Sequence, residues 1–262
     1  MDITFEKWHG NGNDFVIVNS IDNEIKIKKS FVKKISNRNT GIGFDQLIHI
    51  CLPTKSDKHF FIRFYNSDGS EAGMCLNGIR CGARYIWDNS FHPLSPIKIQ
   101  TKTKNILCSP KKKDVYALIE QPSEMRVSRE IDKKIEEIAG KKFFFSNIGN
   151  NHLCIEKKSI ERLNLDDLYK GLDATLKKFD INLSIFKKNQ DDIQIRTYEN
   201  GVGETLSCGS ASLCVATKFL NQNQSKLKVS SMGGELRFKL DKNGILMFHK
   251  KDHLRKKLIN TN

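Results

Sequence analysis

The sequence predicts an α/β protein of two related halves, each a curved, mostly antiparallel sheet wrapped around a central helix. Three observations predict it. The stretch Tyr65–Tyr85 (YNSDGSEAGMCLNGIRCGARY) returns as Tyr198–Lys218 (YENGVGETLSCGSASLCVATK), with Cys75 and Cys208, and Cys81 and Cys214, both 133 residues apart. Tyr65 then matches Tyr198, Glu71 matches Glu204, and Ala83 matches Ala216; an internal repeat fixes architecture before any local signal does. Many short apolar runs bounded by Gly, Asn, Asp and Pro read as strands. Finally, 262 residues divide into halves of roughly 120–130 residues, enough for a core in each.

Each repeated cysteine is expected at the start of a helix. Upstream lies a loop rich in Gly, Ser, Asn and Asp, which is turn chemistry. Downstream, Ile79, Ala83, Ile86 and Trp87 in one half, and Leu213, Ala216, Thr217 and Leu220 in the other, recur at helical spacing. A thiol there sits beside unpaired backbone N–H groups at the positive end of a helix dipole, which favours thiolate and offers a cradle for a carboxylate. Two such ends, facing each other across an active-site cleft between the halves, would hold one small carboxylate between two sulfurs. A cysteine by itself is more often a small buried hydrophobe; duplication of the whole context favours function.

The first half, residues 1–121, opens with strands Ile3–Trp8 and Phe15–Asn19 around the loop His9–Asp14. A short basic helix, Ser30–Arg38, and strands Gly43–Cys51 and His59–Tyr65 lead to the first cysteine loop. Strands near 96–101, 104–109 and 114–120 follow the Cys75 helix, and Gln121–Met125, with Pro122, marks the boundary. The second half, 122–250, has a charged helix near 129–139 and a strand, Lys142–Asn147. The loop Gly149–His152 and the strand Leu153–Glu156 then mirror the first 19 residues of the chain. An amphipathic helix, Leu163–Lys178, and strands Leu183–Phe186 and Asp192–Tyr198 lead to Cys208. Strands Lys226–Ser231, Glu235–Leu240 and Ile245–Lys250 follow, joined at Gly233-Gly234 and Asn243-Gly244. Residues 251–262 read as a loose polar tail.

Composition narrows the function classes. There is no run of 18 apolar residues, so no membrane span is expected. The N-terminus lacks a basic region followed by an apolar one, which predicts a cytoplasmic protein with reduced thiols. The seven cysteines contain no C-x-x-C pair, which argues against a zinc site; Cys81 and Cys214, six residues past their partners, read as packing residues. The net charge of +14 is carried mostly by scattered lysine pairs. Without a nucleic-acid-binding motif, such charge speaks to solubility, and nucleic acid is not an expected partner. No P-loop, G-x-G-x-x-G or nucleophile elbow occurs.

Two helix-end thiols and amide side chains remain. Two thiols on opposite sides of one carbon, one removing a proton as thiolate and the other supplying one, invert a stereocentre. The pair resists double ionisation, and the helix N-termini stabilise charge that builds on an adjacent carboxylate. Facing thiols also predict sensitivity to oxidants through a disulfide.

The segments HGNGNDF (9–15), GFDQL (43–47), NSDGSEAGMCLNG (66–78), GNNH (149–152) and YENGVGETLSCGS (198–210) resemble the diaminopimelate epimerase family, from residue 5 to about 240. The resemblance implies two pseudo-symmetric α/β domains and inversion of an amino-acid α-carbon (L,L- to meso-diaminopimelate) with neither metal nor cofactor. It also implies a small-molecule amino-acid substrate and a homodimer. It places the acid/base pair on Cys75 and Cys208. Substrate-binding residues fall on Asn13, Gln46, Asn66, Asn77, Asn150, Asn182, Glu199, Gly209 and Ser210. His152 and Glu199 are implied as supports that adjust the thiols. Asn13, Asn66 and Asn150 also suit left-handed turn positions, and His152 a buried strand histidine. Glu71 and Glu204 are expected to hold their loops.

Four positions depart from the family pattern. Leu76 stands where the family has Gly, Asn151 where it has Pro, Ser184 where it has Gly, and Asn200 where it has Arg. An amide cannot supply the bidentate fork that an Arg offers a distal carboxylate. A racemase of another polar or basic amino acid, such as histidine or lysine, is therefore the alternative. A non-catalytic basic binding protein on the same scaffold is a second.

Overall fold

The computed structural model describes residues 4–112, 114–190 and 192–249, together with the backbone of 257–260. The chain divides into two units: residues 1–119 with 248–262, and residues 120–247.

In the first unit, β1 (Thr4–Gly10) and β2 (Asn13–Asn19) form a hairpin. Its two loop residues, Asn11 and Gly12, both have positive φ, at 49° and 91°, as a turn matched to strand twist requires. The strands expected to stop short of His9–Asp14 therefore run through most of that loop. Helix α1 (Lys29–Ser36) carries the chain to β3 (Gln46–Cys51), which lies parallel to β2 and antiparallel to β4 (Phe60–Asn66). A two-residue strand, β5 (Glu71–Ala72), turns back on β4 and delivers the chain to α2 (Leu76–Asp88). Strand β6 (Ile97–Gln100) lies parallel to β4, and β7 (Asn105–Lys111) and β8 (Asp114–Ile119) continue antiparallel.

The second unit adds β9 (Ser123–Glu124) and α3 (Arg129–Ala139), then repeats the plan. Strands β10 (Phe143–Asn147) and β11 (Asn151–Glu156) form a hairpin, and α4 (Leu165–Lys178) leads to β12 (Ile181–Asn189), parallel to β11. Next come β13 (Asp192–Glu199) and the short return strand β14 (Gly203–Thr205). Helix α5 (Gly209–Phe219) follows, then β15 (Lys226–Ser231), parallel to β13, β16 (Gly234–Asp241) and β17 (Gly244–Phe248). Both units thus run ββαβββαβββ with parallel pairs at the same two places. The second-half hairpin turns fall on Met232-Gly233 and Lys242-Asn243, one residue earlier than expected. Within the tail expected to be loose, the backbone of β18 (Lys257–Asn260) pairs antiparallel with β1; the remaining tail residues lie outside the described ones.

The helix after each cysteine is the centre of its unit. In α2, Leu76–Ala83 and Tyr85–Trp87 are all buried, so the helix is enclosed on every side although Asn77 and Arg80 are among its buried residues. Glycines set its distance from the sheet. A Cβ at Gly78 would stand 2.6 Å from the Phe64 ring, and one at Gly82 2.7 Å from Ile62, so the backbone of α2 rests on β4. The corresponding positions of α5 are Ala211 and Val215, both wholly buried. In the second unit, α3 and α4 cover the outer sheet face with a core that includes Ile135, Leu165, Tyr169, Leu172 and Leu183. In the first, only α1 and the segment before it do so, around Val16, Val32, Leu47 and Tyr65.

Candidate active site

Both repeated cysteines are N-cap residues. Cys75 caps α2 and Cys208 caps α5, each with extended backbone angles (φ −139°, ψ 113°; φ −119°, ψ 108°). The loop residues ahead of each cysteine favour turns, and the buried helical pattern starts immediately after it, so each thiol is fixed at the junction. The Gly78 amide donates to Cys75 Sγ at 3.4 Å, which satisfies one of the first-turn N–H groups.

In the first unit the amides form two pairs. Asn77, buried in the first turn of α2, donates from Nδ2 to Asn13 Oδ1 at 2.8 Å. Gln46 Nε2 donates to Asn66 Oδ1 at 2.8 Å, across directly opposed positions of β3 and β4. Asn66 in turn donates to Ser70 Oγ. Asn13 donates to Asp45, which is bridged through the Arg38 guanidinium to Asp14. Burial would raise the Asp14 pKa, but the Arg38 and Lys7 cations prevail and hold it below the usual carboxylate range.

Around Cys208 the sulfur lies 3.3 Å from Ser210 Oγ, and Asn150 Nδ2 donates to the same hydroxyl at 3.3 Å. Gly209 and Ser210 form the first turn of α5 and, like Cys208, are buried. The helix-end location was expected to favour thiolate. For Cys208, burial and the Glu199 carboxylate push the pKa well above that of an ordinary thiol, overcoming the opposing Ser210 hydroxyl and Ala211 amide. Desolvation outweighs the dipole here because the thiol is only 6% exposed. Cys81 and Cys214 are buried in their helices, and burial lifts the Cys214 thiol to about 12; both are packing residues.

The remaining expected residues occupy the second unit. Glu199 Oε1 accepts from Thr205 Oγ1 at 2.7 Å. Asn182 Oδ1 accepts from the Asn200 backbone N–H at 2.9 Å. His152 sits in β11 with no exposed surface, and neither ring nitrogen has a hydrogen-bond partner among the described residues. Burial lowers its pKa to about 3, so it is neutral and is not hydrogen-bonded to the Cys208 thiol.

The departures are accommodated locally. Leu76 is buried at the start of α2. Asn151 bridges the Asn147 side chain and the Phe179 carbonyl. Ser184 pairs with Thr197 at 2.9 Å. Asn200 has both ends of its amide engaged, Oδ1 by the Tyr169 hydroxyl and Nδ2 by Asp180, each at 2.6 Å.

One constellation escaped the sequence reading. Arg63 grips Glu71 through Nε and Nη2 at 2.8 and 3.1 Å, and Arg196 grips Glu204 the same way at 2.7 and 2.8 Å. Each clasp ties the strand that enters the site to the short return strand ahead of its cysteine. Glu71 and Glu204 do hold their loops, as expected. Their arginines stand at the same 133-residue separation, a signal present in the repeat.

The family model for diaminopimelate epimerase matches residues 5–120. The diaminopimelate epimerase of Wigglesworthia glossinidia brevipalpis is 37% identical over 263 aligned residues, covering 93% of this chain and 94% of that one. Those of Archaeoglobus fulgidus (33%, covering 92% and 90%) and Methanocella arvoryzae (31%, covering 89% and 88%) are also similar. Among solved structures, a phenazine biosynthesis protein of the PhzF family from Enterococcus faecalis shares the fold. Its TM-score is 0.68 at 14% identity, and 99% of each chain is covered. So does a hydroxyproline epimerase from Agrobacterium vitis, with a TM-score of 0.63 at 9% identity, covering 100% of this chain and 91% of that one. Among the described residues no helix is long and apolar enough to cross a membrane. The non-catalytic reading is set aside, because the chain belongs to the diaminopimelate epimerase family and is an isomerase, an amino-acid epimerase.

Proposed function

We propose that the protein interconverts L,L- and meso-diaminopimelate by a two-thiol proton transfer, with Cys75 and Cys208 acting on opposite faces of the same α-carbon. The observation that carries this reading is the repeated N-cap cysteine, found once in each unit. With its pKa raised by burial and Glu199, Cys208 rests as the thiol and is the proton donor. Cys75 is then the base for the enantiomer that binds to the resting enzyme, and the roles exchange for the other. Proton abstraction leaves an enolate-like carboxylate, which the first-turn amides of α2 and α5, Gly209 and Ser210 among them, stabilise. Asn13, Asn77, Gln46, Asn66 and Asn150 orient the substrate, with Asn182 and Glu199 at its far end. The chemistry needs neither metal nor cofactor; the expected setting is a cytoplasmic homodimer serving lysine biosynthesis.

Asn200 supports a second reading. Its amide is held by Tyr169 and Asp180, and Arg196, four residues before it, is committed to Glu204. Neither side chain offers a distal carboxylate a free cation, whereas Glu199 and Asp180 suit a distal ammonium. A racemase of lysine or histidine fits these groups. Turnover of L,L-diaminopimelate, L-lysine and L-histidine, followed by proton NMR in heavy water, separates the readings. Strong preference for the dicarboxylate supports the first. Preference for lysine or histidine supports the second, and no α-proton exchange with any of them contradicts both.

A further inference from the structure

The two arginine clasps are built alike but finished differently. In the second unit the remaining guanidinium nitrogen, Arg196 Nη1, donates to the carbonyls of Ile160 and Leu163 at 2.6 and 2.8 Å. The Tyr198 ring beside it is covered by Tyr169 of α4, with centroids 4.0 Å apart. In the first unit, Arg63 Nη1 has no such partner among the described residues, and its side chain is 37% exposed against 17% for Arg196. Where the second unit has backbone and a tyrosine, the first has a hollow of about 750 Å³.

The cause is the cover. Helix α4 has 14 residues and α1 has 8, so the outer face of β3 and β4 is left partly open behind the segment 20–29. Tyr65, only 7% exposed, lines the hollow, and its hydroxyl makes no hydrogen bond among the described residues. Arg63 lies over the Tyr65 ring at 5.3 Å. His49, directly opposite Arg63 across the strands, bonds to Ser20 on the same wall. Lys26 and Lys29 stand on the rim without ion-pair partners among the described residues, and Ile21, Ile25 and Leu52 supply apolar wall.

We propose that this hollow is a binding site for a small carboxylate with an apolar body, whose oxygens meet the Tyr65 hydroxyl and Arg63 Nη1, the nitrogen that at Arg196 takes two peptide carbonyls. The size suits a small molecule, and with Nε and Nη2 engaged by Glu71 the remaining Arg63 Nη1 offers a charge-assisted hydrogen bond to one carboxylate oxygen. Asp22 and Glu24, also on the rim, accept an ammonium, so an α-amino acid with a branched apolar side chain satisfies both ends. The site is built within the first unit alone and stands independently of the reaction assigned above.

The test is an amide-resolved NMR titration of the full chain with L-leucine, 4-methylpentanoate and 3-methylbutylamine. The expected result is saturable shifts of residues 20–29 and of β3 and β4 with both carboxylates, and none with the amine. Arg63→Lys weakens binding at least tenfold, and the isosteric Tyr65→Phe, which leaves the clasp intact, about threefold. Arg196→Lys leaves it unchanged. No saturable shift at millimolar carboxylate overturns the proposal. So do shifts with the amine alone, shifts confined to α5 and the loop ahead of it, or binding indifferent to Tyr65→Phe.

Discussion

The two units share one topology and one way of presenting a cysteine, yet differ in how closely each helix and clasp is packed. In the first, glycines at 78 and 82 let α2 rest on β4, and a short α1 leaves the outer face open. In the second, Ala211 and Val215 hold α5, and α4, with the segment ahead of it, closes the outer face over Tyr198 and Arg196. The features retained are the N-cap position of the thiol and the Arg–Glu grip on its loop. The chemistry-bearing junction is common to both units, and the scaffold around it differs.

The comparison can be broken at its strongest point by removing either thiol. Cys75→Ala and Cys208→Ala are each expected to cut epimerisation by about 10³-fold or more, as loss of a general acid or base does, measured as initial turnover. A variant that keeps more than a tenth of the wild-type rate removes its thiol from the reaction.

The helix faces come next. Gly78→Ala is expected to cost about 1–3 kcal/mol in urea unfolding, because the added methyl would stand 2.6 Å from the rigid Phe64 ring. Val215→Ala, one turn along the matching face of α5, is expected to cost about 1–2 kcal/mol for the opposite reason, lost buried contact. The clasps sharpen the difference further. Arg196→Ala leaves two carbonyls and Glu204 without a donor and is expected to cost about 2 kcal/mol. Arg63→Ala, which leaves Glu71 still paired with Lys102 at 3.9 Å and at a more exposed site, is expected to cost about 1 kcal/mol or less.

A separate effect appears only in acid. His49 and His152 are buried, with pKa values lowered to about 4 and about 3 by burial. A histidine held neutral in the fold binds its proton more readily when unfolded, near its ordinary 6.5. The contribution is therefore complete above that value and is lost as pH falls from about 6.5 towards 4. His152→Met removes that slope at the second unit. His49→Met also removes the bond to Ser20, so it flattens the slope while lowering stability at neutral pH. Unfolding free energy measured from pH 4 to 8 distinguishes them.

Much of this was legible in the chain. The 133-residue repeat carried the two-unit plan, and loop chemistry followed by helical spacing carried the N-cap position of both cysteines. The helix expected near 129–139 runs from Arg129 to Ala139. The strand ends were not, because His9 and Asp14 look like loop residues until the Asn11-Gly12 turn shows how tight the hairpin is. The raised Cys208 pKa was not legible either. A sequence announces a helix dipole but not the burial and the Glu199 carboxylate that overcome it. Nor was the open face over Arg63, since the lengths of α1 and α4 matter only once both are laid on equivalent strands.

The most direct measurement of the central claim is α-proton exchange in heavy water with wild type, Cys75→Ala and Cys208→Ala, starting from each diaminopimelate stereoisomer. Paired thiols predict deuterium in the inverted product for wild type, and loss of inversion in both variants. Inversion that survives without either sulfur would contradict the account.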